Sequence, residues 1–275
     1  MKYLYTLLLC CGFATHGWTQ QDSISKSSLT LAGIYGNTAN YFGQTTAEKL
    51  PYVLSHAAYK MKGGVYFSAS ALTLLNNASG VAAVDLSAGY GFTPFKNAEA
   101  NVSFTRSFYQ KNAPLLQASN ENNVNGELSF THFLTSTLSA DYAFGKQSDV
   151  FVSFTNSKLI SLFSLSENDF ISLEPAISII GGSQRYYQTY TTEKENRKKF
   201  LDPLFPGSPP PKTETNTVES TKFDVLAYTF SLPLAYNRTN YTIEASYQAT
   251  LASKNMVEGS DKPVSIFNLG FYYMF

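Results

Sequence analysis

The 275-residue sequence predicts an all-β fold, a single closed antiparallel transmembrane β-barrel of about 12 strands. Three observations lead to this prediction. Apolar and polar residues alternate with a period of two in about twelve windows, which is typical of strands with one apolar face. Short turns and longer connections alternate along the chain. After residue 20, no stretch approaches the roughly 18 apolar residues that a membrane-spanning helix needs.

The N-terminal residues 1–20 predict a secretory signal peptide. The segment has a positive charge at Lys2, a short apolar run, and a polar exit at Gln20, which is the order of regions in such peptides. Residues 21–275 would then form the barrel.

The two cysteines of the sequence, Cys10 and Cys11, both lie in this N-terminal segment. A lipoprotein anchor on one of them is the alternative to cleavage, although the preceding residues lack the small side chain that such a site usually has. After cleavage the chain would contain no disulfide and no thiolate metal site. No metal site and no cofactor is predicted.

The predicted strands follow one another with short interruptions along the whole remaining chain. In the fifth window, even-numbered positions from 98 to 108 are apolar except Arg106, and the odd-numbered positions between them are polar. The eleventh window repeats this pattern over positions 241–251. The windows lie near residues 28–37, 51–61, 64–75, 81–92, 98–109, 125–134, 137–146, 149–160, 170–188, 221–236, 240–252 and 264–275.

Connection lengths favour a membrane barrel over a soluble sandwich, which would show the same alternation. Four of the six connections at one end of the predicted barrel are long, namely 37–50, 110–124, 189–219 and 252–263. Bacterial barrels have short periplasmic turns and longer external loops. This topology predicts that both chain termini lie in the periplasm.

Composition agrees with a wall that faces lipid. The sequence has 15% aromatic residues, with 19 Tyr and 21 Phe, and only 15% charged residues. Aromatic girdles and an uncharged outer face are typical of membrane barrels. The formal net charge of zero gives no basic surface for nucleic acid, so no nucleic-acid partner is predicted.

The C-terminal residues carry the most specific motif of the sequence. Asn268 is followed by Gly270, and Tyr273 and Phe275 stand three and five residues after that glycine. This pattern resembles the C-terminal assembly signal of outer-membrane barrels. The resemblance implies that the barrel assembly machinery recognises the chain and inserts it into the outer membrane.

Together, the signal peptide, the strand pattern and the C-terminal motif resemble the small outer-membrane barrel proteins of Gram-negative, Bacteroidetes-type bacteria. This resemblance implies a location among outer-membrane lipids. It brings no biochemical activity with it.

The alternation also predicts which side chains face the lumen. His56 and Lys60 would point inward, together with six carboxylates, Asp85, Glu99, Glu127, Asp141, Glu174 and Glu244. A moderately acidic, water-filled lumen would favour cations in a passive small-solute channel. Alternatively, these groups hydrogen-bond one another in a plugged barrel that presents external loops to a surface partner, because twelve strands lie between filled and open barrels.

A third possibility is an outer-membrane lipid-modifying enzyme, since one phospholipase family uses a twelve-stranded barrel with a Ser, His and Asn site on its outer wall. His56 points inward, and His132 has outward parity near the periplasmic end, but no matching motif surrounds either. No catalytic residue is therefore predicted. Arg106 is a candidate for contact with lipid-headgroup phosphates, the alternative being a salt bridge with a loop carboxylate.

Overall fold

The computed structural model describes residues 27–45, 49–76, 80–111, 113–115, 120–146, 148–183, 223–253 and 263–275. The predicted signal peptide and the predicted loop 189–219 lie outside these residues. Within the described ranges, no helix is long and apolar enough to cross a membrane.

The described residues form sixteen strands, of which twelve build the wall. The strands are β1 (Ser28–Gly36), β2 (Asn40–Tyr41), β3 (Gln44–Thr45), β4 (Tyr52–Lys60), β5 (Val65–Leu74), β6 (Val81–Phe95), β7 (Ala98–Tyr109), β8 (Asn122–Thr131), β9 (Thr135–Phe144), β10 (Ser148–Ser157), β11 (Ile160–Phe163), β12 (Asp169–Leu173), β13 (Ala176–Ser183), β14 (Phe223–Arg238), β15 (Tyr241–Ala252) and β16 (Val264–Met274).

The wall strands close one antiparallel barrel, as the sequence predicts. Their order is β1, β4, β5, β6, β7, β8, β9, β10, β13, β14, β15, β16 and back to β1. The first and last strands pair from Thr30 opposite Met274 to Gly36 opposite Asn268. Closure satisfies the backbone groups that an open sheet edge would expose to hydrocarbon.

Strands β11 and β12 extend the β10–β13 hairpin beyond a break at Glu174 and Pro175. Proline has no N–H to donate to a ladder. Beside the break, Lys158 N donates a hydrogen bond to Pro175 O at 3.1 Å, and Glu174 N donates one to Pro233 O at 3.0 Å. Pro175 therefore separates β12 from β13, whereas Pro233 lies within the continuous strand β14. The pairing register with β14 is the same on both sides of the break.

The barrel has a turn end and a loop end. The turn end carries the short connections 61–64, 96–97, 132–134, 164–168 and 239–240, the start of β1 and the end of β16. The loop end carries the connections 37–51, 75–80, 110–121, 145–147, 184–222 and 253–263. The separation of long and short connections thus follows the prediction.

One predicted strand was placed three residues too late. The window 125–134 corresponds to β8, which begins at Asn122 and ends at Thr131. His132 consequently lies in a turn, and its predicted outward position on a strand is wrong. The turn contains no glycine or proline that could have marked it in the sequence.

The outward face is apolar around the wall. Phe67 on β5 is 50% exposed, Leu86 on β6 is 49% exposed, and Leu269 on β16 is 55% exposed. Apolar exposure on this scale marks a surface that something other than water covers, and on a closed barrel that covering is lipid.

Candidate functional site

Small polar side chains line the inward face along the middle of the barrel and towards the turn end. Their hydrogen bonds join neighbouring strands along the wall: Ser87 with Thr105 at 2.8 Å, Asn125 with Ser139 at 2.9 Å, Ser129 with Thr137 at 2.8 Å and Thr155 with Ser178 at 2.8 Å. Glu99 and Glu127 are exposed although their strand positions face the lumen. Water therefore reaches this part of the lumen.

The register places all eight predicted lumen residues on the inward face, but spread around the wall. Glu174 accepts a hydrogen bond from Ser157 Oγ at 2.8 Å, and Asp141 accepts one from Asn123 Nδ2 at 2.8 Å. Glu244 stands opposite Gly270 of β16. These residues do not form one cluster, and their part in selecting solutes stays a prediction.

His56 makes a contact that the sequence did not reveal. Its Nδ1 lies 2.8 Å from Ser70 Oγ on the neighbouring strand β5. This is the contact that a serine nucleophile and its base would make. Asp85 stands directly opposite Ser70 on β6, however, and a carboxylate there opposes the negative charge that develops during acyl transfer. The geometry therefore favours a structural pair.

Two other polar residues of the sequence analysis, Arg106 and His132, make hydrogen bonds to residues near them. Arg106 donates from Nη2 to Glu121 Oε2 at 2.7 Å and from Nη1 to Asn122 Oδ1 at 2.8 Å. Both charged side chains are partly exposed, so the pair contributes little to stability. His132 Nδ1 accepts a hydrogen bond from Leu134 N at 3.1 Å. The headgroup contact of Arg106 stays a prediction.

The C-terminal motif divides between the two faces of β16. Asn268 faces inward, where its side chain accepts a hydrogen bond from Tyr52 at 3.4 Å, and Gly270 faces inward beside it. Tyr273 has outward parity, and Phe275 is 65% exposed just beyond the strand. The outward side of the motif is therefore apolar. Its recognition by the barrel assembly machinery stays a prediction.

The lumen is obstructed near the loop end by the plug hairpin, residues Asn40–Thr45. Tyr41 pairs with Gln44 across a two-residue turn in which Phe42 has a φ of 48° and Gly43 a φ of 81°. Positive φ at both central residues is the signature of a type I′ turn. The sequence predicted an external loop over 37–50, whereas this part of it folds into the barrel.

The tip of the plug hairpin packs against the far wall. The Phe42 ring stacks on Phe151 of β10 with centroids 3.9 Å apart and planes 7° from parallel. A Cβ atom added to Gly43 would lie 2.4 Å from Ala227 Cβ of β14. The hairpin backbone thus touches the wall at a position that accommodates only glycine.

A second connection at the loop end also packs inward. Leu115, from the segment between β7 and β8, forms a buried cluster with Leu50, Leu74 and Ala83. At the same end of the barrel, Phe151 of β10 is 0% exposed and Thr250 of β15 is 2% exposed. These inward positions at the loop end are therefore buried, whereas Glu99 and Glu127, which lie farther from that end, are exposed.

Metal-ligating side chains do not cluster in the part of the chain that the structure describes. Among the described residues, no three or more His, Cys, Asp or Glu side chains are grouped closely enough to hold an ion.

No protein-family model and no curated protein matches the chain. Among solved structures, it resembles the KdgM porin, with 9% identity over 90% of this chain and 99% of that chain and a TM-score of 0.48. It also resembles LpxR from Salmonella typhimurium (10% identity, 90% and 100%, TM-score 0.47) and an outer-membrane channel from Pseudomonas putida F1 (11% identity, 94% and 100%, TM-score 0.46). These likenesses concern the barrel fold, and no functional conclusion rests on them.

Proposed function

We propose that this chain is an outer-membrane channel for small solutes that the plug hairpin closes at rest. The observation that carries the proposal is the change in burial along the inward face. Phe151 and Leu74 are buried near the loop end, whereas Glu99 and Glu127 are exposed towards the turn end. In an outer-membrane orientation the turn end faces the periplasm.

The polar wall supports a water-filled passage beyond the plug. Side chains such as Ser87 and Thr105 satisfy one another between adjacent strands, so they need no partner across the lumen. The inward carboxylates outnumber the inward bases His56 and Lys60, which favours cations over anions by simple electrostatics. A cation preference is therefore part of the proposal.

A second candidate function is a plugged barrel that presents its external loops to a partner. It is supported by the contacts of the plug hairpin, because the stacked rings of Phe42 and Phe151 and the fit of Gly43 against Ala227 resemble permanent core packing. The two candidates differ in one property, since only a channel requires the hairpin to leave this position.

Planar-bilayer conductance of the refolded chain distinguishes these candidates. The matched variant replaces residues 40–48 by Asn-Gly, a two-residue type I′ turn. Ala39 N donates to Leu50 O at 2.9 Å, so the ends that this turn joins are already adjacent. We expect the unaltered chain to open intermittently and the deletion variant to remain open with a cation preference.

The three possible results lead to different conclusions. Intermittent openings of the unaltered chain support a channel. A silent unaltered chain with an open deletion variant would overturn the channel in favour of the plugged barrel. If both proteins are silent, the lumen below the plug does not conduct, and the proposed function is wrong.

A further inference from the structure

A group of polar side chains lies on the outward side of the wall near the turn end. This polar patch consists of His132, Ser136, Asn156 and Lys158. Ser136 of β9 stands directly opposite Asn156 of β10, and both positions have outward parity. Lys158 follows Asn156 by two residues, so the extended chain points both side chains to the same face. His132 belongs to the β8–β9 turn and reaches Ser136 from there.

Large apolar side chains border the polar patch on the wall. Phe130 of β8 and Ile177 of β13 stand on either side of its two strand residues. The next outward pair towards the middle of the barrel is Leu138 opposite Phe154. All four apolar side chains are exposed. A molecule that covers this surface must therefore be polar at the patch and apolar beyond it.

Hydrogen bonds within the polar patch run in one direction. Leu134 N donates to His132 Nδ1 at 3.1 Å, so the neutral ring carries its proton on Nε2. That nitrogen lies 3.2 Å from Ser136 Oγ, and the serine hydroxyl donates to Asn156 Oδ1 at 2.7 Å. His132 is thus a donor to the serine rather than a base that activates it. The amide of Asn156 accepts through Oδ1 and presents its Nδ2 group as a donor.

Lys158 adds a positive charge at the edge of the polar patch. Its Nζ donates to Phe133 O at 2.6 Å and lies 4.7 Å from the centre of the Phe133 ring. These contacts hold the ammonium group against the β8–β9 turn and use one of its three donors. Among the described residues, the ion pair that is present joins Arg106 to Glu121, so within these ranges the charge of Lys158 has no carboxylate partner.

We propose that the polar patch binds the phosphate group of a membrane phospholipid whose acyl chains lie along Leu138 and Phe154. In an outer-membrane orientation the turn end lies at the periplasmic interface, which is the level of lipid headgroups. The remaining donors of Lys158 and the Nδ2 group of Asn156 would meet phosphate oxygens, and hydrogen bonds between ionised partners are the stronger ones. The apolar border favours a lipid over free phosphate. The inference does not depend on conduction, because the patch lies on the outside of the barrel.

Fluorescence quenching by brominated lipids tests this site in the refolded chain. Trp18→Phe removes the only tryptophan of the sequence, and Phe154→Trp then places a single reporter beside the polar patch. In dodecylmaltoside micelles, which contain no phosphate, we expect brominated phosphatidylglycerol to quench this reporter at an about fivefold lower mole fraction than a brominated diacylglycerol with an uncharged sugar headgroup. Excess inorganic phosphate should not reverse the quenching, because it has no acyl chains.

A second reporter and three substitutions separate the polar patch from general attraction of lipid. Phe67→Trp places the reporter on the outward face of β5, near the turn that contains Lys62, and should show no preference between the two lipids. With the Phe154→Trp reporter, Lys158→Met and Asn156→Leu should each abolish the preference. Lys96→Met, which changes an exposed lysine in another turn at the same end, should retain it.

The proposal fails if both lipids quench the Phe154→Trp reporter equally well. It also fails if the Phe67→Trp reporter shows the same preference, because a lysine in a turn would then be sufficient. Reversal by inorganic phosphate would replace the lipid site with a site for free anions. If Lys158→Met does not fold, Asn156→Leu serves as the site variant, and an unchanged preference in the folded site variant would overturn the proposal.

Discussion

Adding one methyl group at the tip of the plug hairpin should loosen it from the wall. In Gly43→Ala the new Cβ would lie 2.4 Å from Ala227 Cβ, more than 1 Å inside normal carbon contact. Retreat of the tip would also separate Phe42 from Phe151. Overpacking of this kind costs roughly 1–3 kcal/mol, and the φ of 81° at this residue costs a non-glycine residue about 1–2 kcal/mol more.

Gly80 provides a matched control for the conformational part of this cost. It has a φ of 82°, but a Cβ added there would meet nothing within 4 Å. Gly80→Ala therefore shares the backbone strain and lacks the collision with the wall. The difference between the two variants isolates the contact of Gly43 with Ala227, about 1–3 kcal/mol, which corresponds to roughly a 5–150-fold change in the closed-to-open ratio.

The assay is the rate at which a maleimide modifies a cysteine introduced by Ala143→Cys, a position that is 2% exposed beneath the plug. Gly43→Ala should accelerate modification roughly 5–150-fold, and Gly80→Ala should not accelerate it. Adding Ala227→Gly to Gly43→Ala should restore much of the protection by removing the colliding methyl group. Equal rates in the Gly43→Ala and Gly80→Ala backgrounds would refute the contact argument.

Three further predictions concern assembly, orientation and selectivity. Phe275→Ser should lower the amount of folded barrel in the outer membrane without lowering synthesis or export, because it removes the apolar end of the C-terminal motif; unchanged membrane levels on immunoblots would make the motif a coincidence. An impermeant maleimide should label Gly80→Cys at the loop end in intact cells and Gly63→Cys at the turn end only after permeabilisation, and the reverse pattern would invert the assigned orientation. Glu127→Gln should reduce the cation preference measured as a reversal potential in the plug-deletion variant, and an unchanged potential would show that this carboxylate does not act on passing ions.

The sequence by itself determined the strands of the barrel wall and which of their faces is apolar. Adjacent residues of a strand point to opposite faces, so the alternation over 98–108 specified which side of β7 is apolar. Even the misplaced window 125–134 kept the correct parity, because its apolar residues Leu128 and Phe130 lie on β8. Closure followed from the same pattern, since an apolar outer face in lipid tolerates no open edge.

Only the tertiary structure decided what happens inside the barrel. The segment Tyr41, Phe42 and Gly43 offered a local signal, two aromatics before a glycine within a polar connection, but this pattern does not specify whether the hairpin folds inward or outward. That choice depends on Phe151 and Ala227, which lie more than one hundred residues further along the chain and become its neighbours only when the barrel closes. The pairing of His56 with Ser70 and the burial of Asp149 depend in the same way on cross-strand register, which is a property of the assembled sheet rather than of any local stretch of sequence.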